Sequence, residues 1–480
     1  MSRGRESNAY LTVYLSLTLT ILLSLILTLF YGARVGAVRM KAEFVTDIAM
    51  NSILAEYHRE LFAQYGLLMV DTSYGSGHPS ILLTEEHLTD YVHENLAPTM
   101  VGAVLSQVTL MNNWSEEAHI TGYSLAPDGG NAVLQRAIRS YMAAGLLDDP
   151  FPDTEENVAA LEASGYDSMD VEGMWEANDA PLEQSYLVDV DEDGTTEEIY
   201  PDAPSAAVKG TRGIGILTLA APEGIEISDA VTDETAYLSH RSPILHGTGL
   251  AEGAGGGLLE RPLFDQYVFE KCGYFGQEMD KSLLKYQVEY MIAGTGSDWR
   301  NLETVCRWLM LWREASNFIY LVSDEEMVSQ AEALALIASI LLFVPELEEV
   351  IKWSILFAWS FAESVNDIHI LLSGGRVPLV KTHETWALSI ENLIYYRDHL
   401  TEGSGQGLDY GQYLRMLLFF RNMEEKGNRL MDVMEMDIRR TVGNERFRMD
   451  GCMDILRAEI LVESVSGGDH RIERIYGYYE

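Results

Sequence analysis

Glu363, Asp367 and His369 close an apolar stretch of the chain, and theirs is the spacing best suited to acid/base chemistry. Residues i and i+4 of a helix share a face, so the two carboxylates stand one turn apart. A carboxylate pair beside an imidazole is equipment for proton transfer. The competing reading is a polar helix end whose imidazole sits favourably at the negative end of the helix dipole. We adopt that second reading and expect no catalytic residues. The sequence holds no H-E-x-x-H, no G-x-S-x-G, no Walker A string and no G-x-G-x-x-G following a strand. The glycine pairs Gly213-Ile-Gly215 and Gly294-Thr-Gly296 lack the lysine or the βαβ setting that phosphate binding needs.

A second string has the chemistry of a cation site. Asp189-Val-Asp191-Glu-Asp193-Gly-Thr-Thr-Glu197 places alternating carboxylates before a glycine turn, and its first six positions match a calcium loop of the EF-hand type. The twelfth position, where that loop has a bidentate glutamate, is Tyr200. Asp189, Asp191, Asp193 and Glu197 are therefore the candidate metal ligands, with Ca²⁺ as the ion, in a loop of another kind. The alternative is a solvated acidic turn between Tyr186-Leu187-Val188 and Ile199-Tyr200, in which case no cofactor is needed. Cys272, Cys306 and Cys452 supply neither a C-x-x-C pair nor a disulfide framework and read as small buried residues, the alternative being a single bridge between two of them.

The elements that position these residues hang from one stretch, Tyr10 to Tyr65. Tyr10 to Tyr31 is uncharged over 22 residues, which at about 1.5 Å per residue covers a bilayer core of about 30 Å. It is longer than the apolar part of a signal peptide and runs on into Gly32-Ala33-Arg34-Val35 without a small-residue cleavage site, so a retained anchor is expected. Beyond it Ala37, Met40, Phe44, Ile48, Ile53, Tyr57, Leu61 and Tyr65 recur at helical intervals, which predicts one unbroken amphipathic helix leaving the lipid. Arg3 and Arg5 lie on one side of the span and Arg34, Arg39 and Lys41 on the other, so positive charge does not orient it.

The remainder is predicted to be α+β and mainly α. The expected order is a short tail at 1–9, a transmembrane helix at 10–31, a helical stalk at 32–66 and an α+β part at 67–147. An acidic, loop-rich insert at 148–260, a helical core at 261–445 and a C-terminal β-hairpin at 446–480 follow. Helices are predicted over Leu82–Leu96 with Thr84 as N-cap, Asn131–Leu147, Met279–Ile292, Leu302–Leu321 and Asp324–Phe343, the last two with Asn301 and Ser323 as caps. Two more cover Leu408–Phe420 and Asn422–Val442. Ala331–Val344 and Trp353–Ala362 are too short to span a bilayer and read as a buried helical hairpin, closed by Ser373-Gly374-Gly375. Strands are predicted at Met100–Leu110, at His119–Leu125, and at Leu456–Val465 with Arg471–Tyr479, the early and late ones sharing a small antiparallel sheet.

Composition narrows the partners. The 480 residues include 47% hydrophobic residues, enough for a large core, while a formal charge of −41 excludes a nucleic-acid backbone as ligand. Asp148–Glu260 alone holds 26 acidic against 3 basic residues and ends in the glycine cluster Gly247–Gly257, which reads as a linker. No small-molecule substrate is expected.

Several strings, finally, resemble a known group. Gly32-Ala-Arg-Val35, Ser52-Ile-Leu-Ala-Glu-Tyr57, Tyr65-Gly-Leu-Leu-Met-Val-Asp71, Tyr286-Gln-Val-Glu-Tyr-Met-Ile-Ala-Gly294, Leu371-Leu-Ser-Gly-Gly-Arg-Val-Pro378 and Leu408-Asp-Tyr-Gly-Gln-Tyr-Leu414 are similar to a family of single-pass membrane proteins of unknown function from Clostridia-type bacteria. Asn301-Leu302, Ala358-Trp359, Glu363 and Asp367 belong to the same pattern, which is weakest between Asp148 and about Lys209. Members of that family tend to be encoded among genes for tight-adherence (Flp-type) pili, and their N-terminal architecture resembles that of minor pseudopilins. The resemblance implies a single-pass component of the cell membrane, its body extracytoplasmic, that contacts the lipid bilayer and pilus or envelope proteins without catalysing a reaction. It departs from a prepilin in that Gly4 is followed by Arg5 and Glu6 and no acid lies within Tyr10–Tyr31, so the N-terminus is expected to stay intact. The alternative is an anchored acidic extracellular binding module that takes a cation; an envelope enzyme is the third class.

Overall fold

The computed structural model describes residues 6–97, 113–115, 118–144, 154–165, 169–188, 196–201, 203, 205–250, 260–464 and 468–479. Its first helix, α1 (Glu6–Ala55), is 50 residues long, about 75 Å at the usual rise. The stretch from Tyr10 buries almost nothing: Leu11 and Leu29 are each 65% exposed. By length and composition it can cross a membrane. Four of its hydroxyls turn back onto the helix itself, Ser16 donating to Val13 O (2.9 Å), Thr18 to Tyr14 O, Thr20 to Ser16 O (2.7 Å) and Thr28 to Ser24 O (2.7 Å). These four therefore bring no unsatisfied donor to an apolar environment.

Further along, the same helix turns into core. Val38, Ala42, Val45, Ala49 and Ile53, spaced by three or four, are all at most 4% exposed, the stripe that a helical period dictates. From Ala42 onward they pack with Leu88, Val92 and Leu96 of a short helix and with one face of a sheet. This belongs to the first of two compact units, 1–144 with 241–256 and 438–480.

The helix stops short of the predicted end at Tyr65. Tyr57 forms an antiparallel bridge with Val70 and His58 N–H donates to Met69 O (2.8 Å), so the chain is locally extended where the stalk was expected to continue. His58 then caps α2 (Arg59–Tyr65) through Nδ1, and Gly66 ends it in the left-handed conformation. After β1 (Val70–Asp71), α3 (Ile81–Leu96) starts behind Ser80, not at Thr84, which is buried within the helix. Two strands, β2 (Asn113–Trp114) and β3 (Ala118–Leu125), lead to α4 (Asp128–Ala144), regular only after the left-handed Gly129, Gly130 and Asn131. The strand predicted at Met100–Leu110 lies outside the described residues.

The sheet is centred on β4 (Cys452–Ser464), which pairs antiparallel with every other strand of the unit, including β5 (His470–Gly477). Ala118↔Ile460, Tyr123↔Leu456 and Val70↔Met453 set its register with the early strands, and Ile460↔Ile472 sets that with β5. Early and late segments thus share one sheet. Leu456, Ala458, Ile460 and Val462 alternate onto the buried face, the period-two pattern of a half-covered sheet. The start of the glycine-rich segment is held in place: Thr248 pairs with Tyr123, and Gly249, at φ +73, lies where a Cβ would clash with Thr121 O, while residues 251–257 lie outside the described residues.

The second unit, 145–240 with 257–437, is helical. The acidic insert contributes α5 (Thr154–Ser164), α6 (Val171–Asp179), α7 (Ala206–Lys209) and α8 (Ile216–Ala220), short helices between longer irregular stretches. Trp175 of α6 is buried against Phe357 and Phe361 with Nε1 bonded to Ser354 Oγ. After α9 (Glu260–Lys271), α10 spans only Gln287–Ala293. The first half of the helix expected there is irregular because Asp437 takes Leu283 N–H and Asp298 takes those of Lys285 and Tyr286.

Three long helices follow, α11 (Asp298–Ser323), α12 (Glu325–Leu341) and α13 (Glu348–Leu372). Their caps are Ser297 and Asp324; Asn301, predicted as a cap, instead bonds Thr295 through both side-chain atoms. The hydropathy of α13 reaches the level of a membrane span, yet 94% of that window is buried, which makes it the core helix of the unit. It ends at Ser373 before Gly374, as expected. Then come α14 (Tyr410–Phe419), opened by an Asp409/Gln412 capping box, and α15 (Met423–Ile438).

Candidate functional site

The carboxylates of Glu363 and Asp367 do share a face of α13, but not with His369. His369 turns its Nδ1 to Ala220 O (2.9 Å). The carboxylates, both fully buried, meet two cations. Lys381 Nζ lies 2.5 Å from Glu363 Oε1 and 2.6 Å from Asp367 Oδ1, while Arg313 Nε lies 2.9 Å from Asp367 Oδ2. Backbone N–H groups of Ala387 and Leu388 cover Glu363, and Arg313 also donates to Pro378 O and Leu379 O. Burial raises the Glu363 carboxyl above its usual range despite Lys381. For Asp367 the effect of burial is outweighed by Lys381 and Arg313, which hold the group low. Two buried acids and two buried bases are thus matched, and they tie the segment after α13 onto the helices.

The later strings quoted for the family resemblance, Tyr286–Gly294, Leu371–Pro378 and Leu408–Leu414, lie in the same unit. Glu289 accepts from Phe275 N–H and from Tyr410 OH (2.9 Å each), and burial lifts its carboxyl to about 7. Asp298, Asn301, Tyr286, Tyr290 and Tyr413 are buried alongside. Their polar groups organise the core.

An open cleft of about 490 Å³ lies between α6, α8, α11 and α13. Arg212 is its centre: Nη1 and Nη2 each sit 2.7 Å from a carboxylate oxygen of Glu314, Nε sits 3.2 Å from Glu172, and the guanidinium lies over Phe361 at 5.0 Å. That fork-on-fork geometry suits arginine and not lysine. Glu303 caps α8 by accepting from Ile216 and Leu217 N–H, and Arg307, one turn on, is exposed at the rim. Among the described residues lining the cleft there is no Ser, Thr, Cys or His. The arrangement can hold a polar group. Sequence reading missed it, although Arg212 is one of only 3 basic residues in the acidic stretch and could have been marked on that ground.

In the first unit a polar node sits at the end of α1. Glu56 accepts from Tyr91 OH (2.7 Å) and Tyr74 OH (3.0 Å) and lies 3.1 Å from His87 Nδ1. The bond to Glu56, with burial, pushes the Tyr91 phenol up to about 12. Tyr478 OH donates to Leu54 O, one of the carbonyls left open by the last turn. These contacts fasten the helix end.

Of the candidate calcium ligands, Asp189, Asp191 and Asp193 lie outside the described residues. Glu197 is exposed and opens the second strand of a two-stranded ladder, Tyr186–Val188 with Glu197–Ile199, in which it faces Val188. Among the described residues no group of three or more His, Cys, Asp or Glu is arranged to hold a metal ion. Cys272, Cys306 and Cys452 are buried and none is in a disulfide among the described residues, and burial pushes the thiols of Cys272 and Cys306 up.

No curated protein and no solved structure matches the chain. Residues 194–464, more than half of it, match a family of unknown function (DUF5702), in a range that begins downstream of α1 and ends with β4. The chain belongs to that family.

Proposed function

We propose that this protein is a membrane-anchored, extracytoplasmic structural or assembly component of a tight-adherence-type pilus or secretion system, acting by holding partners in place. One observation carries the reading: α1 runs without interruption from a wholly exposed apolar segment into the buried core of the first unit. Exposing Tyr10–Tyr31 to water would cost on the order of tens of kcal/mol, so the segment needs a lipid or protein surround. Because Val38, Ala42, Val45, Ala49 and Ile53 are core, any force on the anchor reaches the folded unit through one rigid rod, as a tethered scaffold requires. The pilus assignment draws on the family resemblance.

Deleting the gene in the native host and counting surface pili by electron microscopy tests it. The reading predicts loss of pili, restored by the full chain but not by a chain lacking residues 1–31. An unchanged pilus count would overturn it.

A further inference from the structure

The α12 helix is built inside out. Apart from Met327 in its first turn, the residues it buries are small, Ala331, Ala335, Ala338 and Ser339, while Leu336, Ile337, Ile340 and Leu341 are 46%, 57%, 58% and 71% exposed. Helical spacing gathers these four with Phe343, 44% exposed, into one face. Phe343 holds a left-handed φ of +57°, a conformation that a bulky residue rarely adopts, and so stays at the end of the stripe. An ordinary surface helix would turn its large side chains to the core. A contiguous exposed face of this kind marks an interaction site.

The charges around it decide what covers it. Glu332 and Glu349 flank Lys352, whose Nζ lies 3.5 and 2.6 Å from them, and Glu346 is exposed three residues after Phe343. Three carboxylates against one lysine leave the rim negative. A second copy would bring the same carboxylates together, and a bilayer with anionic headgroups would be repelled as well. We infer that the Leu336–Phe343 face of α12 docks an amphipathic helix of another protein, apolar along one side and bordered by lysine or arginine. Helix-on-helix burial would supply affinity, and the acidic rim would select against acidic partners. The inference stands apart from the pilus reading, since it rests on the second unit alone.

The test places a photoreactive benzoylphenylalanine at Ile337 in the full chain, expressed in the native host, and sequences the cross-linked peptides. The expected adduct is a segment of another polypeptide with Leu, Ile or Phe at helical spacing between basic residues. In the same experiment Glu332→Lys with Glu346→Lys should cut the yield about tenfold, with unchanged melting showing that the fold is kept. Adducts to this chain itself, adducts to lipid alone, no adduct, or a yield indifferent to the two charge reversals would each overturn the proposal.

Discussion

Lys381 places its ammonium 2.5 Å from a carboxylate oxygen of Glu363, with both side chains at most 1% exposed. Asp367 and Arg313 complete the set, so each charge in it depends on the others. Replacing Lys381 by Met would leave two buried carboxylates facing Arg313 alone. Losing one member of a buried set costs about 3–5 kcal/mol, and chemical denaturation should show a loss of that order. Lys381→Met combined with Glu363→Gln should recover part of it; a double variant as unstable as the single one would contradict the pairing.

Glu289 gives a pH signature. Its carboxyl titrates at about 7 in the folded chain against an ordinary 4.5, so the folded state binds its proton more tightly. Its contribution is complete below about pH 4.5 and is lost as pH rises through 7, about 3 kcal/mol in all. The stability of Glu289→Gln relative to the parent should therefore rise between pH 5 and pH 8, measured by urea unfolding. A difference flat across that range would refute the assignment.

Glu56 and Tyr478 hold the end of α1. Glu56→Ala removes the acceptor of two tyrosines, and hydrogen bonds to a charged group contribute about 1.5–3 kcal/mol each at most. Faster amide exchange over Val45–Ala55, with the second unit unchanged, is the expected outcome; unchanged protection would show that the node does not fasten the helix.

The acidic hairpin loop is expected to behave as a solvated turn. Calorimetric titration of the detergent-solubilised full chain with millimolar calcium should give no saturable heat. A saturating isotherm abolished by Asp191→Asn would establish a calcium site and favour the binding-module reading.

What could be read from the sequence was local or periodic. The long apolar helix, the pairing of α12 with α13 and the C-terminal hairpin each declared themselves through period or turn residues, but only α13 of that pair is buried as expected, α12 leaving Leu336, Ile337, Ile340 and Leu341 exposed. The break at Tyr57-His58 did not, because no glycine or proline marks it and its cause is a pairing with Met69 and Val70 across the chain. Likewise Glu363 and Asp367 were visible at i and i+4, but their partners Lys381 and Arg313 stand 18 and 54 residues away and are joined to them only by the fold. The inversion of α12 was hidden too, since an apolar run shows a helix without showing which face its neighbours cover.

The most direct test of the anchored, extracytoplasmic reading is a small tag at Glu480 followed by protease treatment of intact cells. Loss of the tag while a cytoplasmic marker survives is the predicted result. Protection of the tag in cells whose envelope is open to the protease would place the body in the cytoplasm and contradict the reading.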